Sequence, residues 1–329
     1  MDIYEFEKYT TTKENLKQTL EEYGVAIIPC VLTQKECDDM LDGMWSYLEH
    51  ITQKWDVPIN RNKKKTWGEI YRLYPLHSMM IQHWGIGHNQ ASWDLRQNPK
   101  IIDIFAHLWS CEREDLLVSF DGASFGMPPE VTGKGWTRNK TWLHTDQSFT
   151  RNNFECIQSW VTAQDVNEGD GTLFVMEQSH KYHQECAQKF GLTEKRDWYQ
   201  LNQAEEQFYV DKGCKYKKIK CPRGSMVFWD SRTIHCGVEP LRERQTQNLR
   251  VVSYLCYMKK ELCDEDEIEN KRNAYYKMIT TSHYPCKIVY FPKFPSTHGR
   301  GEYGHTLPQI TEINRPVLTD LGLSLAGIC

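Results

Sequence analysis

The chain has 329 residues, of which 40% are hydrophobic, 26% charged and 12% aromatic, and its formal net charge is -4. This length and composition are typical of a soluble enzyme with a sizeable core. The slightly acidic balance gives no electrostatic reason to expect nucleic acid or an anionic membrane as a partner. We therefore expect a single domain, residues 1–329, that acts on a small molecule, and the sequence leaves its oligomeric state open.

No uninterrupted apolar run approaches the roughly 20 residues of a membrane span. The polar start of the chain, residues 1–16, lacks the apolar segment of a secretory signal. We therefore expect a cytoplasmic protein. The 12 cysteines show none of the closely spaced pairs that hold structural zinc, so free thiols in a reducing compartment are the expected state.

In the first third of the chain, residues 10–110 are predicted to form a helical region that supports the β core. Residues 12–24 have apolar positions at helical spacing, and residues 25–32 form a short apolar run typical of a strand. Thr33 followed three residues later by Glu36 is the capping-box pattern, so a helix is expected to begin there.

The pattern changes to strands in the middle of the chain, from about residue 116 to residue 260. Short apolar runs alternate there with turn signals, and one helical insertion is expected at about residues 180–207. Such a series favours a sandwich or barrel over a parallel sheet with crossover helices. Residues 261–329 begin with an acidic helix and form a C-terminal extension.

The stretch TWLHTDQSF, residues 141–149, contains a histidine and an aspartate two positions apart. On a strand, the side chains of His144 and Asp146 would point to one face about 7 Å apart, where they could bind a metal ion. His235 is the best third ligand, because it follows an apolar strand and precedes a glycine. Two imidazoles and one carboxylate leave coordination positions open, which is the facial arrangement of non-haem Fe(II) oxygenases.

Five motifs in this order resemble the phytanoyl-CoA dioxygenase-like family of Fe(II)/2-oxoglutarate-dependent oxygenases. They are GVAIIPCVLTQKE, TWLHTDQ, VNEGDGTLFVMEQSHK, RGSMVFWDSRTIHCG and NLRVVSY, and together they cover most of residues 10–260. The resemblance implies a fold that is mainly β with helices (α+β). Its core would be a double-stranded β-helix, also called a jelly-roll or cupin-like core, flanked by N-terminal and C-terminal helices.

The resemblance also implies roles for individual residues. His144, Asp146 and His235 would be the catalytic iron ligands. Arg250 would bind the distal carboxylate of 2-oxoglutarate, a task suited to a permanently charged, bidentate guanidinium. Thr172 could give a hydroxyl to the same co-substrate, although a plain strand threonine is the alternative.

The sequence identifies the co-substrate arginine less directly than it identifies the candidate iron ligands. Arg242 and Arg244 compete with Arg250, which we prefer because the strand pattern begins there. An arginine paired with a structural carboxylate is the alternative to a co-substrate role. In addition, the family often has a hydroxyl residue where this chain has Gly237, which leaves the other co-substrate contacts open.

The expected activity uses Fe(II), 2-oxoglutarate and O2 to hydroxylate an aliphatic C–H bond of a polar small molecule, with release of succinate and CO2. Two other classes stay open: a cupin-type metal-binding protein or enzyme that does not use 2-oxoglutarate, and a non-catalytic β-barrel binding protein. A peptide substrate also stays open.

We expect two segments to line the substrate pocket: the aromatic-rich stretch before the strands, and the strand that precedes the first ligand. Six aromatic or charged residues of these segments are the candidates, although aromatic-rich stretches often form core instead of a pocket. They are Trp67, Tyr71, Arg72, His83, Trp84 and Asp121.

Overall fold

The computed structural model describes residues 3–73, 79–138, 140–295 and 307–328. The strands are β1 Tyr4–Glu5, β2 Val25–Ile28, β3 Met80–Ile81, β4 Leu116–Val118, β5 Ala123–Gly126, β6 His144–Thr145, β7 Ile157–Thr162, β8 Thr172–Met176, β9 Tyr199–Gln200, β10 Tyr216–Ile219, β11 Met226–Asp230, β12 His235–Val238 and β13 Arg250–Lys259. The α-helices are α1 Leu16–Tyr23, α2 Gln34–Thr52, α3 Gln90–Arg96, α4 Pro99–Trp109, α5 Pro129–Thr132, α6 His183–Phe190, α7 Gln203–Asp211, α8 Glu265–Tyr276 and α9 Asp320–Leu325.

The strands form two sheets, which confirms the predicted α+β class. In the described ranges, the minor sheet has the order β1-β10-β8-β12-β6-β9 and the major sheet has the order β2-β11-β7-β13-β5-β3, with β4 also pairing with β13. Apart from the parallel β1–β10 pair, the strand pairs within the described residues are antiparallel. Non-sequential neighbours such as β7 and β13 bring distant parts of the chain together.

Alternate residues of β13 pack into two different parts of the core. Val252 belongs to a buried cluster that contains Val175 of the minor sheet and Val227 of the major sheet. Its neighbour Val251 belongs to a second cluster, which includes helix residues such as Phe105 of α4. Because strand side chains alternate between faces, the even-numbered residues of this part of β13 face the other sheet.

The start of α2 is formed as the sequence predicts. The Thr33 hydroxyl accepts a hydrogen bond from the Glu36 amide at 3.2 Å, and the Glu36 carboxylate accepts one from the Thr33 amide at 2.7 Å. The preceding strand is shorter than expected, because β2 ends at Ile28 and Cys30 adopts a positive φ of 57°. The helical insertion is two helices, α6 and α7, with the short strand β9 between them.

The expectation of free thiols is wrong for one pair of cysteines. Cys263, just before α8, forms a disulfide with Cys286 in the C-terminal extension, where the two Cα atoms are 5.4 Å apart. The pair is 23 positions apart in the sequence, so no local spacing indicates it. The other cysteines of the described ranges are free, and most are buried.

None of the described helices is both long enough and apolar enough to cross a membrane.

Loss of the α2 cap should lower stability without changing the site. Thr33→Ala removes the acceptor for the Glu36 amide and should reduce the free energy of unfolding by about 1 kcal/mol, measured by urea denaturation. Thr33→Ser keeps a capping hydroxyl and is the matched control, with an expected change below about 0.5 kcal/mol. Equal stability of the alanine variant and the wild type would contradict the assigned cap.

Candidate metal centre

The two histidines of the predicted metal site lie directly opposite each other on neighbouring strands. His144 of β6 pairs with His235 of the antiparallel strand β12, and their ring centroids are 4.4 Å apart. Residues opposite each other in an antiparallel pair project to the same side of the sheet. The strand register therefore brings together two histidines that are far apart in the sequence.

Asp146 completes the cluster from just beyond the end of β6. Its Oδ2 atom lies 3.2 Å from Nε2 of His235 and 3.6 Å from Nε2 of His144. The three candidate ligand atoms all lie within 4.8 Å of one another. The structure thus brings together the three residues that the sequence selects.

The strand predicted for residues 141–149 is reduced to His144 and Thr145. The Thr145 hydroxyl and the Asp146 amide both donate to the carbonyl oxygen of Ser231, at 3.0 and 2.9 Å. These bonds turn the chain toward β11 and end its pairing with the minor sheet. Asp146 therefore reaches the histidines from a turn, rather than from the same face of a continuous strand.

Each histidine ring is oriented by a main-chain carbonyl. Nδ1 of His144 lies 3.0 Å from the carbonyl oxygen of Trp142, and Nδ1 of His235 lies 2.8 Å from that of Thr233. A neutral ring that donates through Nδ1 keeps the lone pair of Nε2 free for a metal ion. Burial and the neighbouring His144 lower the pKa of His235, which favours the neutral ring that ligation requires.

The aspartate is held as a carboxylate. Burial alone would raise the pKa of Asp146, but the close imidazoles of His144 and His235 and the charge of nearby His283 hold that pKa well below its usual value. Gln158 of β7 donates a hydrogen bond of 2.9 Å to Oδ2 and a second one of 3.2 Å to the hydroxyl of Ser231. Two imidazole nitrogens and one ionised oxygen form a donor set that suits divalent iron.

Arg250 faces the space between the sheets without a carboxylate partner among the described residues. Its side chain is buried, Nη1 donates to the carbonyl oxygen of Gly171 at 2.7 Å, and the guanidinium lies 5.6 Å from the ring centroid of Trp160. In the described part of the chain, Nε of Arg250 and Nε1 of Trp160 are buried donors with no hydrogen-bond partner. Two adjacent unpaired donors indicate a site for an anionic acceptor.

The competing arginines have other environments. Arg244 is paired with Glu130 at 2.6 Å and with Asp170 at 2.9 Å, so its charge is already neutralised. Arg242 is exposed, and its guanidinium lies 5.3 Å from the ring centroid of Trp136. The geometry therefore favours Arg250 as the residue that is free to bind a carboxylate.

Arg250 and the metal ligands are connected along strand β7. Trp160 contacts the guanidinium, and Gln158, two residues earlier on the same face, contacts Asp146. Two residues of a strand span about 7 Å. A cavity lined by Arg250, Gly171 and Tyr71 lies at the arginine end of this path, and the three metal ligands do not line it.

The side chain of Thr172 is hydrogen-bonded to the main chain. Its hydroxyl donates a hydrogen bond of 2.6 Å to the carbonyl oxygen of Ile219, and the residue is fully buried. This geometry supports the alternative of a plain strand threonine.

One of the six candidate substrate residues, Tyr71, lines a cavity, and a second, Asp121, is buried. Tyr71 lines the cavity of Arg250, although its hydroxyl donates to the Lys134 carbonyl at 2.6 Å. Asp121 is buried, and its carboxylate accepts the Gly122 amide at 2.6 Å. The desolvation of burial raises its pKa.

The other four candidates pack in the core or lie at or near the surface. Trp84 is fully buried and its indole donates to the Leu73 carbonyl, and Trp67 is likewise packed in the core. Arg72 is exposed and forms an ion pair of 3.3 Å with Glu69. Nδ1 of His83 lies 2.6 Å from the carbonyl oxygen of Pro292. Residues 74–78 of the same stretch lie outside the described residues.

Sequence reasoning missed two residues beside the metal ligands. Gln158 reaches Asp146 only through the pairing of the folded strands, and no motif indicates it. Trp198 lies in the insertion, where its ring centroid is 5.9 Å from that of His144. The insertion was expected to be helical, so an isolated aromatic residue there gave no signal.

Gln158 should be needed for metal affinity. Gln158→Leu removes the hydrogen bond that orients the Asp146 carboxylate, and we expect Co(II) binding, followed by isothermal titration calorimetry, to weaken by roughly 10- to 100-fold. Ser159→Ala is the control on the opposite face of the same strand, because that hydroxyl donates to the Leu255 carbonyl instead. Unchanged Co(II) affinity in Gln158→Leu would show that the contact has no such role.

Known proteins resemble the chain in sequence and in fold. "Ava biosynthesis cluster protein O" of Aspergillus versicolor is 26% identical over 216 residues, which are 63% of this chain and 67% of that protein. The hypothetical protein JW0805 of Escherichia coli has a TM-score of 0.55 at 13% identity, over 87% of this chain and 80% of that one. The protein GIG2 of Candida albicans has a TM-score of 0.54 at 12% identity, over 80% of this chain and 67% of that one.

These structural similarities, at low identity, concern the fold alone. The sequence model of phytanoyl-CoA dioxygenase (PhyH) matches residues 20–239, which is more than half of the chain and includes all three candidate metal ligands. The chain therefore belongs to the phytanoyl-CoA dioxygenase (PhyH) family.

Proposed function

We propose that this protein is an Fe(II)- and 2-oxoglutarate-dependent oxygenase that hydroxylates an aliphatic C–H bond of a polar small molecule, with release of succinate and CO2. The observation that carries the proposal is the convergence of His144, Asp146 and His235, whose candidate ligand atoms lie within 4.8 Å of one another. Family membership and this cluster confirm the predicted cofactors, which are iron, 2-oxoglutarate and O2.

Each residue of the proposed site has its own role. His144, Asp146 and His235 would hold the iron, which together with 2-oxoglutarate and O2 supplies the oxidising chemistry. Arg250 would bind the distal carboxylate of 2-oxoglutarate through its charge and its unpaired Nε, assisted by the indole N–H of Trp160. The path of about 7 Å along β7 from Trp160 to Gln158 suits a short dicarboxylate that spans both ends of the site.

The scaffold orients these groups and excludes water. Both histidines and Arg250 are at least nine-tenths buried, and charge interactions are stronger in such a low-dielectric interior. We propose that the two sheets form the double-stranded β-helix implied by the resemblance, within one domain that spans residues 1–329. The buried cluster shared by residues of both sheets supports this architecture.

A small-molecule substrate is supported by the A. versicolor relative, whose name assigns it to a biosynthesis cluster. A cupin-type protein that does not use 2-oxoglutarate is the main alternative. It would have no use for a buried arginine without a carboxylate partner, so the environment of Arg250 favours the oxygenase.

The proposed activity has a direct spectroscopic test. Anaerobic addition of Fe(II) and 2-oxoglutarate should produce the weak visible charge-transfer band of the chelate, and admission of O2 should then yield succinate. His144→Ala should lose both signals because it removes one ligand. A wild-type protein that binds Fe(II) but shows no band would exclude the 2-oxoglutarate-dependent function.

Arg250 should control co-substrate affinity. Arg250→Met removes the guanidinium charge and its donors, so the dissociation constant of 2-oxoglutarate, measured by titration of the band, should rise at least about 100-fold. Arg242→Met removes an exposed arginine of the same region and should leave this constant unchanged. If Arg250→Met bound 2-oxoglutarate as the wild type does, the cupin-type alternative would be supported instead.

A further inference from the structure

Trp198 is a large apolar side chain that stays exposed beside a metal ligand. Half of its surface, 50%, is accessible to solvent. Its ring centroid lies 5.9 Å from that of His144, with the two ring planes 35° apart. An indole in this position leaves apolar surface uncovered next to the reactive centre.

The backbone around Trp198 is held in place from both sides. Strand β9 begins at the next residue and pairs with β6, the strand that carries His144. On the other side, the Asp197 carboxylate accepts a hydrogen bond of 3.0 Å from the Ser148 amide and pairs with the guanidinium of Arg151. The exposure of the indole is therefore a property of an anchored segment and not of a loose loop.

The same anchor extends to the C-terminal extension. The guanidinium of Arg151 donates a hydrogen bond of 3.0 Å to the hydroxyl of Tyr284 and lies 5.3 Å from its ring centroid. Arg151 thus fixes two segments, around Asp197 and around Tyr284, to the turn that follows Asp146. Neither segment covers the exposed face of Trp198.

We propose that Trp198 is the stacking wall of the substrate site, and that the substrate is a small molecule with a planar conjugated or aromatic portion. This inference rests on the proposed function and narrows its substrate class. A rigid indole offers a flat apolar face, and flat rings stack on such a face better than puckered rings of equal size. With the planar portion on the indole, the rest of the substrate would lie beside the metal ligands.

Two probes with the same carbon skeleton test the inference without knowledge of the natural substrate. The anaerobic complex of protein, Fe(II) and 2-oxoglutarate is titrated with 2-naphthol and with trans-decahydro-2-naphthol, its saturated and puckered counterpart. Calorimetry should show that 2-naphthol binds more tightly by roughly 2- to 12-fold, the range expected for one aromatic stacking contact. Trp198→Ala should abolish this preference, and Trp198→Phe should retain most of it.

The controls separate this inference from the proposed function. Tyr276→Ala removes another exposed aromatic side chain, 58% accessible, on α8, and it should keep the preference for 2-naphthol. Absence of the charge-transfer band in the wild type would overturn the proposed function itself. With the band present, equal binding of the two probes to the wild type, or an unchanged preference in Trp198→Ala, would overturn the inference. Loss of the charge-transfer band in Trp198→Ala would indicate that the indole shields the metal, and this result would also overturn the inference.

Discussion

The site depends on the register between β6 and β12. His144 lies opposite His235 only in the observed pairing, and a slip of one residue would turn β12 over, because side chains alternate between the faces of a strand. Cys236 would then take the inner position, whereas it now packs in the outer cluster of the minor sheet with Phe174 and Phe208. Pairing of β12 with β8 on its other edge fixes the same register. A buried apolar face thus determines where the candidate metal ligands meet.

Local patterns account for what could be predicted from the sequence. The capping box of Thr33 and Glu36 involves residues three apart, so its geometry can be inferred without the rest of the fold. The longer strands, such as β13, were predicted because their apolar residues form continuous runs bounded by turn signals. The candidate metal ligands follow from residue type and from the order of motifs, and the structure supplies the pairing that joins the two histidines.

Features that depend on distant contacts could not be predicted. The strand around His144 is only two residues long because the Ser231 carbonyl draws the chain away, and that partner comes from β11 and its turn. The disulfide of Cys263 and Cys286 likewise depends on how the C-terminal extension folds back. Trp84 was a pocket candidate, yet it is core, because the residue type alone cannot distinguish a buried indole from a substrate-facing one.

Arg151 is a shared anchor for two segments near the candidate metal centre. Its guanidinium holds the segment of Asp197 and the segment of Tyr284 at once, while the candidate ligand atoms belong to strands and a turn that neither segment forms. Loss of the Arg151 side chain would therefore release both segments together, while the pairing of β6 with β12 has no contact with this guanidinium to lose.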